Sequence, residues 1–159
     1  MLVITNTSPL IALERIGQLS LLPKLYGKVV RPRAVLIEID EGKGQYGISN
    51  DLCNADWLET VTDPPEMNLR RELGAGETAV IALAVRENAD LVILDDLAAR
   101  NVAIELGLAV SGTLGILLAA HERGFLKDVA LTVDALTMVG FRVSQKIIEQ
   151  VRNISSGNS

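Results

Sequence analysis

The sequence predicts an α/β fold, a central parallel sheet of about five strands with helices on both faces, and three observations carry that expectation. Short apolar, β-branched runs recur at Leu2 to Thr5, Lys28 to Arg31, Trp57 to Val61, Leu91 to Leu94 and about 109–111. Helix-period segments separate them, as the crossovers between parallel strands require. At 159 residues and 48% hydrophobic, the chain has about one domain's length and can form an ordinary core without a metal or disulfide staple.

Each element has a local reason. The first strand, 2–5, runs into Asn6-Thr7-Ser8-Pro9. Ser8 reads as an N-cap and Pro9 as the first helical residue, where a missing N–H costs nothing. Helices are expected at about 9–16 and 18–26. The strand at 28–31 is followed by a helix at about 32–41, opened by Pro32. Gly42-Lys-Gly-Gln-Tyr-Gly47 reads as a flexible loop, a rim or lid; it follows a helix and not the first strand, so it makes a poor phosphate cradle. A short helix near 50–55 precedes a strand at 57–61, which Asp63-Pro64-Pro65 ends. A long helix at about 76–88, a strand at 91–94, a helix at about 97–107, a short strand near 109–111 and a helix at about 113–123 come next. The last third is helical, at about 127–139 and 144–153, with Gly140 as the stop between. The expected domain spans 1–154, and 155–159 form a disordered tail.

Composition excludes several classes. Cys53 is the one cysteine and His121 the one histidine, so an internal disulfide, His-rich or Cys-rich zinc sites and triad chemistry are set aside. A reducing cytoplasm is the expected home. The apolar run Leu106 to Ala120 is broken by Ser111-Gly112-Thr113 and falls short of the ~20 residues a spanning helix needs. No basic region precedes an apolar one at the start, so no signal peptide is expected. A net charge of −5 and 3% aromatics argue against a broad electrostatic grip or a stacking platform for nucleic acid. A nucleic-acid function would rest on a metal site and a local basic rim.

Ligands of parallel sheets bind outside the carboxyl ends of the strands. There the sequence places Asn6 after the first strand, Glu38 in the helix after the second, Glu77 at the start of the long helix and Asp95-Asp96 after the fourth strand. Each has a plainer alternative. Asn6 suits a turn, Glu38 a solvated helix face, Glu77 the favourable end of a helix dipole and one of the aspartates an N-cap. Carboxylates clustered without histidine suit Mg²⁺ or Mn²⁺, which prefer hard oxygen ligands and can activate water for phosphodiester hydrolysis.

Five motifs stand in order: ITNTSPLIAL, RPRAVLIEI, LGAGETAVIALA, LVILDDLAAR and VSGTLGILLAA, closed by Gly-Phe-Arg-Val-Ser at 140–144. Together they resemble the PIN-domain superfamily, in its toxin-like branch of bacterial and archaeal proteins, from residue 2 to about 150. The resemblance implies a Rossmann-like three-layer fold and a Mg²⁺- or Mn²⁺-dependent ribonuclease acting on single-stranded RNA. It further implies the toxin of a toxin–antitoxin pair, a small antitoxin partner and a homodimer; apolar helices at about 9–25 and 113–139 fit a dimer surface. Carried over by position, it puts catalytic and metal-binding acids at Glu38, Glu77 and Asp95, with Asp96 as an auxiliary ligand. Thr7, Ser8 and Thr113 match the auxiliary polar positions.

Asn6 departs from the pattern, standing where PIN nucleases usually carry an aspartate. An amide offers a carbonyl oxygen without charge, so the site is read either as an active one with a neutral ligand or as a catalytically weakened binding or interaction module. Arg31, Arg33 and Arg100 are candidates for RNA phosphate contacts. Arg100 also stands at i,i+4 from Asp96, where a local ion pair would form. His121 reads as a helix C-terminal histidine and Cys53 as a packed small residue.

Overall fold

The computed structural model describes residues 1–46, 51–69 and 72–155. The described residues form a parallel sheet of order β3-β2-β1-β4-β5. Its strands are β1 (Val3–Thr5), β2 (Val29–Pro32), β3 (Leu58–Val61), β4 (Leu91–Ile93) and β5 (Val110–Ser111). The helices are α1 (Thr7–Arg15), α2 (Leu21–Tyr26), α3 (Arg33–Tyr46), α4 (Asp51–Asn54), α5 (Ala75–Glu87), α6 (Leu97–Glu105), α7 (Thr113–Glu122), α8 (Val129–Met138) and α9 (Gln145–Ser155). The central strands are apolar on both faces, as a parallel sheet covered by helices requires; Ile4, Val29, Val92 and Ile93 are fully buried. β1 sits between β2 and β4, with Ile4 opposite Val30 and Val92.

The expected alternation of elements is present, with three local differences. α1 begins at Thr7, so Asn6 is its N-cap and Pro9 its third residue; proline is tolerated throughout a first turn, where N–H groups have no helical partner. Pro32 ends β2, in register with Val61, and does not open the helix; the start of α3 is held by Asp63, whose Oδ1 accepts the Ala34 N–H at 2.9 Å. The stretch from Gly42 to Tyr46, expected as a loop, continues α3. Each helical glycine costs only about 0.5–1 kcal/mol against alanine, and no proline interrupts the turn. Gly47 and residues 156–159 of the expected tail lie outside the described residues. Gly140 has φ +94° and ends α8, as expected of a stop.

Candidate active site

Ligand crevices in such sheets form where the connections leave to opposite faces. In this strand order that point lies between β1 and β4, the strands followed by Asn6 and by Asp95-Asp96. Asn6 is 5% exposed, and its backbone N–H donates to Ile93 O at 3.0 Å. Its side chain makes no capping bond, and Pro9, the third residue of α1, has no N–H to offer it. Asn6 Oδ1 is therefore buried without a partner.

Glu38 reaches across from α3. Thr7 Oγ1 donates to its Oε2 at 2.6 Å and the Gly76 N–H donates to its Oε1 at 2.8 Å. That approach depends on glycine, since a Cβ on Gly76 would lie 2.5 Å from Glu38 Oε1. Glu77, the third residue of α5, receives the Gly74 backbone N–H, which is half of a capping box. The plain helix-end role is thus real, and Glu77 does more. Its side chain hydrogen-bonds Asp96, feels the charge of Glu38, and keeps Oε2 buried with no partner. Burial first, then Asp96, push its carboxyl above the usual range, against the opposing Gly74 N–H.

The neighbouring aspartates divide their work. Asp96 caps α6, its Oδ2 accepting the Ala99 N–H at 3.0 Å, and also meets Glu77. Asp95 is held at the start of α7: the Thr113 N–H donates to Oδ1 and the Thr113 hydroxyl to Oδ2, both at 2.7 Å. Burial raises the Asp95 carboxyl, while the Thr113 bonds and the Arg100 charge lower it. A Cβ on Gly112 would lie 2.9 Å from both Arg100 Nη1 and Asp95 Oδ1. Arg100 thus faces Asp95, and the Asp96 pairing suggested by helical spacing gives way to it. The structure pairs Glu77 with Asp96, leaves Glu38 acting on Glu77 through its charge, and ties Asp95 to Thr113.

Among the described residues no group of three or more His, Cys, Asp or Glu side chains is placed so that it could hold a metal ion. The donor chemistry nonetheless fits a hard divalent cation. Asn6 Oδ1 and Glu77 Oε2 are buried acceptors without donors, Glu77 hydrogen-bonds Asp96 within the field of Glu38, and mutually repelling carboxylates favour a positive ion. Glu38 retains lone pairs beyond its two hydrogen bonds.

Of the three arginines expected at RNA phosphates, the structure contradicts Arg31. Arg31 is 1% exposed and cannot reach a phosphate. Its guanidinium instead donates to Leu52 O at 2.6 Å, Cys53 O at 3.4 Å and Thr60 Oγ1 at 3.0 Å, joining β2 to α4 and β3. Arg33 is exposed but lines a different cleft, with Asp40 and Thr60. Cys53 is half-buried and free. The His121 Nδ1 lies 3.0 Å from Leu126 O at the end of α7, so it closes a helix.

A cleft of about 540 Å³ opens beside Asp95 and Asp96, with the exposed Ser8 and Arg15 of α1 on one side and Phe141 and Arg142 on the other. Sequence reading passed over Arg15, Phe141 and Arg142 as functional residues. The closing Gly-Phe-Arg stretch signalled Phe141 and Arg142, and nothing local ties it to Arg15 of α1.

A family model described as PIN domain matches residues 2–156. The chain belongs to the PIN-domain family. PIN domains are generally nucleases, so the acidic end of this sheet is the place to look for chemistry. The PIN domain here is similar to the solved structure of a PilT N-terminus domain protein from the hyperthermophilic archaeon Sulfolobus solfataricus P2. That match has a TM-score of 0.59 at 19% identity, over 77% of this chain and 95% of the other, and shows the shared fold. No curated protein matches the chain significantly. Among the described residues no helix is long and apolar enough to cross a membrane.

Proposed function

We propose that this PIN domain is a Mg²⁺- or Mn²⁺-dependent ribonuclease that hydrolyses single-stranded RNA. The observation that carries the proposal is Glu77: it hydrogen-bonds Asp96 and feels the charge of Glu38 while one of its own oxygens stays buried without a donor. Glu77, Asp96 and Asn6 would hold the ion, with Glu38 completing the set. When bound, the ion supplies water activation and stabilises the phosphodiester oxygens during displacement. Thr7 and Gly76 hold Glu38 in place, and the Gly74 N–H orients Glu77. Thr113 holds Asp95 by two hydrogen bonds and Arg100 lies beside it, so Asp95 would set the start of α7 next to the cleft.

A second reading rests on Asn6: a neutral amide in place of a carboxylate reduces the site's charge, which would leave a binding or interaction module of weakened activity. Under the first reading the protein works in the cytoplasm as the toxin of a toxin–antitoxin pair, with a small antitoxin covering the cleft. A homodimer through α8 belongs to the same reading, since Leu131 and Met138 are 66% and 87% exposed.

The deciding experiment is cleavage of labelled single-stranded RNA with Mn²⁺, Mg²⁺ or EDTA, comparing Asp96→Asn and Asp95→Asn. Cleavage that needs metal, disappears in Asp96→Asn and only weakens in Asp95→Asn is expected. Cutting that persists in EDTA or in Asp96→Asn refutes the site, and a folded, metal-supplied protein that does not cut selects the binding module.

A further inference from the structure

The closing Gly140-Phe141-Arg142 stretch has no part in the proposed chemistry, yet it forms a wall of the cleft beside Asp95 and Asp96. Its placement is built. With φ +94° at Gly140 the chain reverses after α8, the Gly140 N–H donates to Thr137 O at 3.1 Å and the Phe141 N–H to Leu136 O at 3.0 Å, a helix end of the Schellman type. Arg15 Nη1 then donates to Val139 O at 3.0 Å, which pins α1 to this turn. The Phe141 ring is half-buried against the core and lines the cleft. Arg142 is exposed and makes no hydrogen bond or ion pair among the described residues.

We infer that this cleft is a subsite for one unpaired nucleotide next to the scissile phosphate, with Phe141 stacking on the base and Arg142 and Arg15 facing the phosphates. The inference rests on the nuclease reading for its substrate class. Its volume, about 540 Å³, lies within the ~300–1,000 Å³ of small-molecule sites. The ring offers a face that any unpaired base can use, and a base inside a duplex cannot. Arg15 keeps N–H donors beyond the bond to Val139, and Arg142 keeps all of its own. In a chain of net charge −5, guanidinium groups beside carboxylates separate two tasks: acids for a cation, arginines for the backbone phosphates that position the strand.

The test reads binding without cleavage. A short single-stranded RNA carrying 2-aminopurine at successive positions is titrated in EDTA with the wild type, Phe141→Leu and Arg142→Gln. Stacking should quench the fluorophore at one position. Phe141→Leu keeps apolar bulk and should remove the quench while raising Kd about 5- to 150-fold, the equivalent of the ~1–3 kcal/mol of a base–aromatic stack. Arg142→Gln, on an exposed side chain whose loss leaves the fold intact, should weaken binding and lower the salt slope by about 1. Unchanged quench and Kd in Phe141→Leu, or an unchanged salt slope in Arg142→Gln, overturns the subsite. Metal-dependent cleavage alongside such unchanged binding leaves the nuclease reading standing; a quench lost with Phe141 in a protein that never cuts leaves the subsite and removes the nuclease.

Discussion

Replacing Glu77 by glutamine separates what this residue does for the fold from what it would do for the proposed cation. In the metal-free protein its carboxylate is unfavourable: it is partly desolvated, bonded to Asp96 and within the field of Glu38. Two charges at about 4 Å in a water-like medium repel by ~1 kcal/mol, and the partial exposure of Glu77 keeps the figure near that lower limit. Glu77→Gln should therefore raise the melting temperature in EDTA by about 2–4 °C, the shift that ~1 kcal/mol produces in a domain of this size. The pH dependence has a defined sign. A carboxyl whose affinity for protons is greater folded than unfolded makes the native state bind more protons, so stability falls as pH rises from the ordinary carboxylate range through the raised value. Glu77→Gln should flatten that fall. With Mn²⁺ at a hundred times its Kd, the wild type should gain ~2.7 kcal/mol under the proposed function, about 5–11 °C, and the variant should gain little of it. Differential scanning fluorimetry across pH, in EDTA and with Mn²⁺, reads all three. A variant that melts lower in EDTA and keeps the full Mn²⁺ shift would refute the reasoning.

Further predictions concern the groups around Glu77. Asn6→Asp adds a charge at a position 5% exposed, so it should lower stability in EDTA and tighten Mn²⁺ binding on the order of tenfold, since ligand charge tunes affinity; calorimetry that finds no change puts Asn6 outside the ion's reach. Gly76→Ala forces the Glu38 carboxylate aside, because the new Cβ would lie 2.5 and 2.8 Å from its two oxygens. Glu38 is the movable partner, so the melting temperature in EDTA should change by no more than a ~1 kcal/mol effect allows, while Mn²⁺ affinity falls ~10–100-fold as for a lost supporting contact. Equal affinity in that variant would show Glu38 to be uninvolved.

The legibility of the site follows from how local each signal is. The position of Glu77 was readable because a glycine-rich turn before an apolar helical run marks a helix start, and its hydrogen bond from Gly74 is local too. The choice between Asp95 and Asp96 was not. Adjacent residues leaving a strand point to different sides, and the side each meets depends on α5 and α7, which come from distant sequence. Arg31 misled for the same reason: in a chain of alternating strands its place beside a candidate crevice suggested phosphate contact, whereas the side chain points inward to the carbonyls of α4. The start of α1 misled by two residues because Ser8-Pro9 satisfies the usual cap pattern locally, while Asn6 takes the N-cap position.

By itself the sequence determined the alternation of buried strands with helices, hence a parallel sheet, and the presence of polar residues at the strand ends where such sheets bind ligands. Those properties depend on periodicity and on turn chemistry, which act over a few residues. Only the tertiary structure decided that Asp96 and not Asp95 meets Glu77, that Arg31 serves the core, and that Arg15 and Phe141 share a cleft. The physical reason is that such contacts join elements far apart in the chain, and their geometry is set by how the helices pack on the sheet.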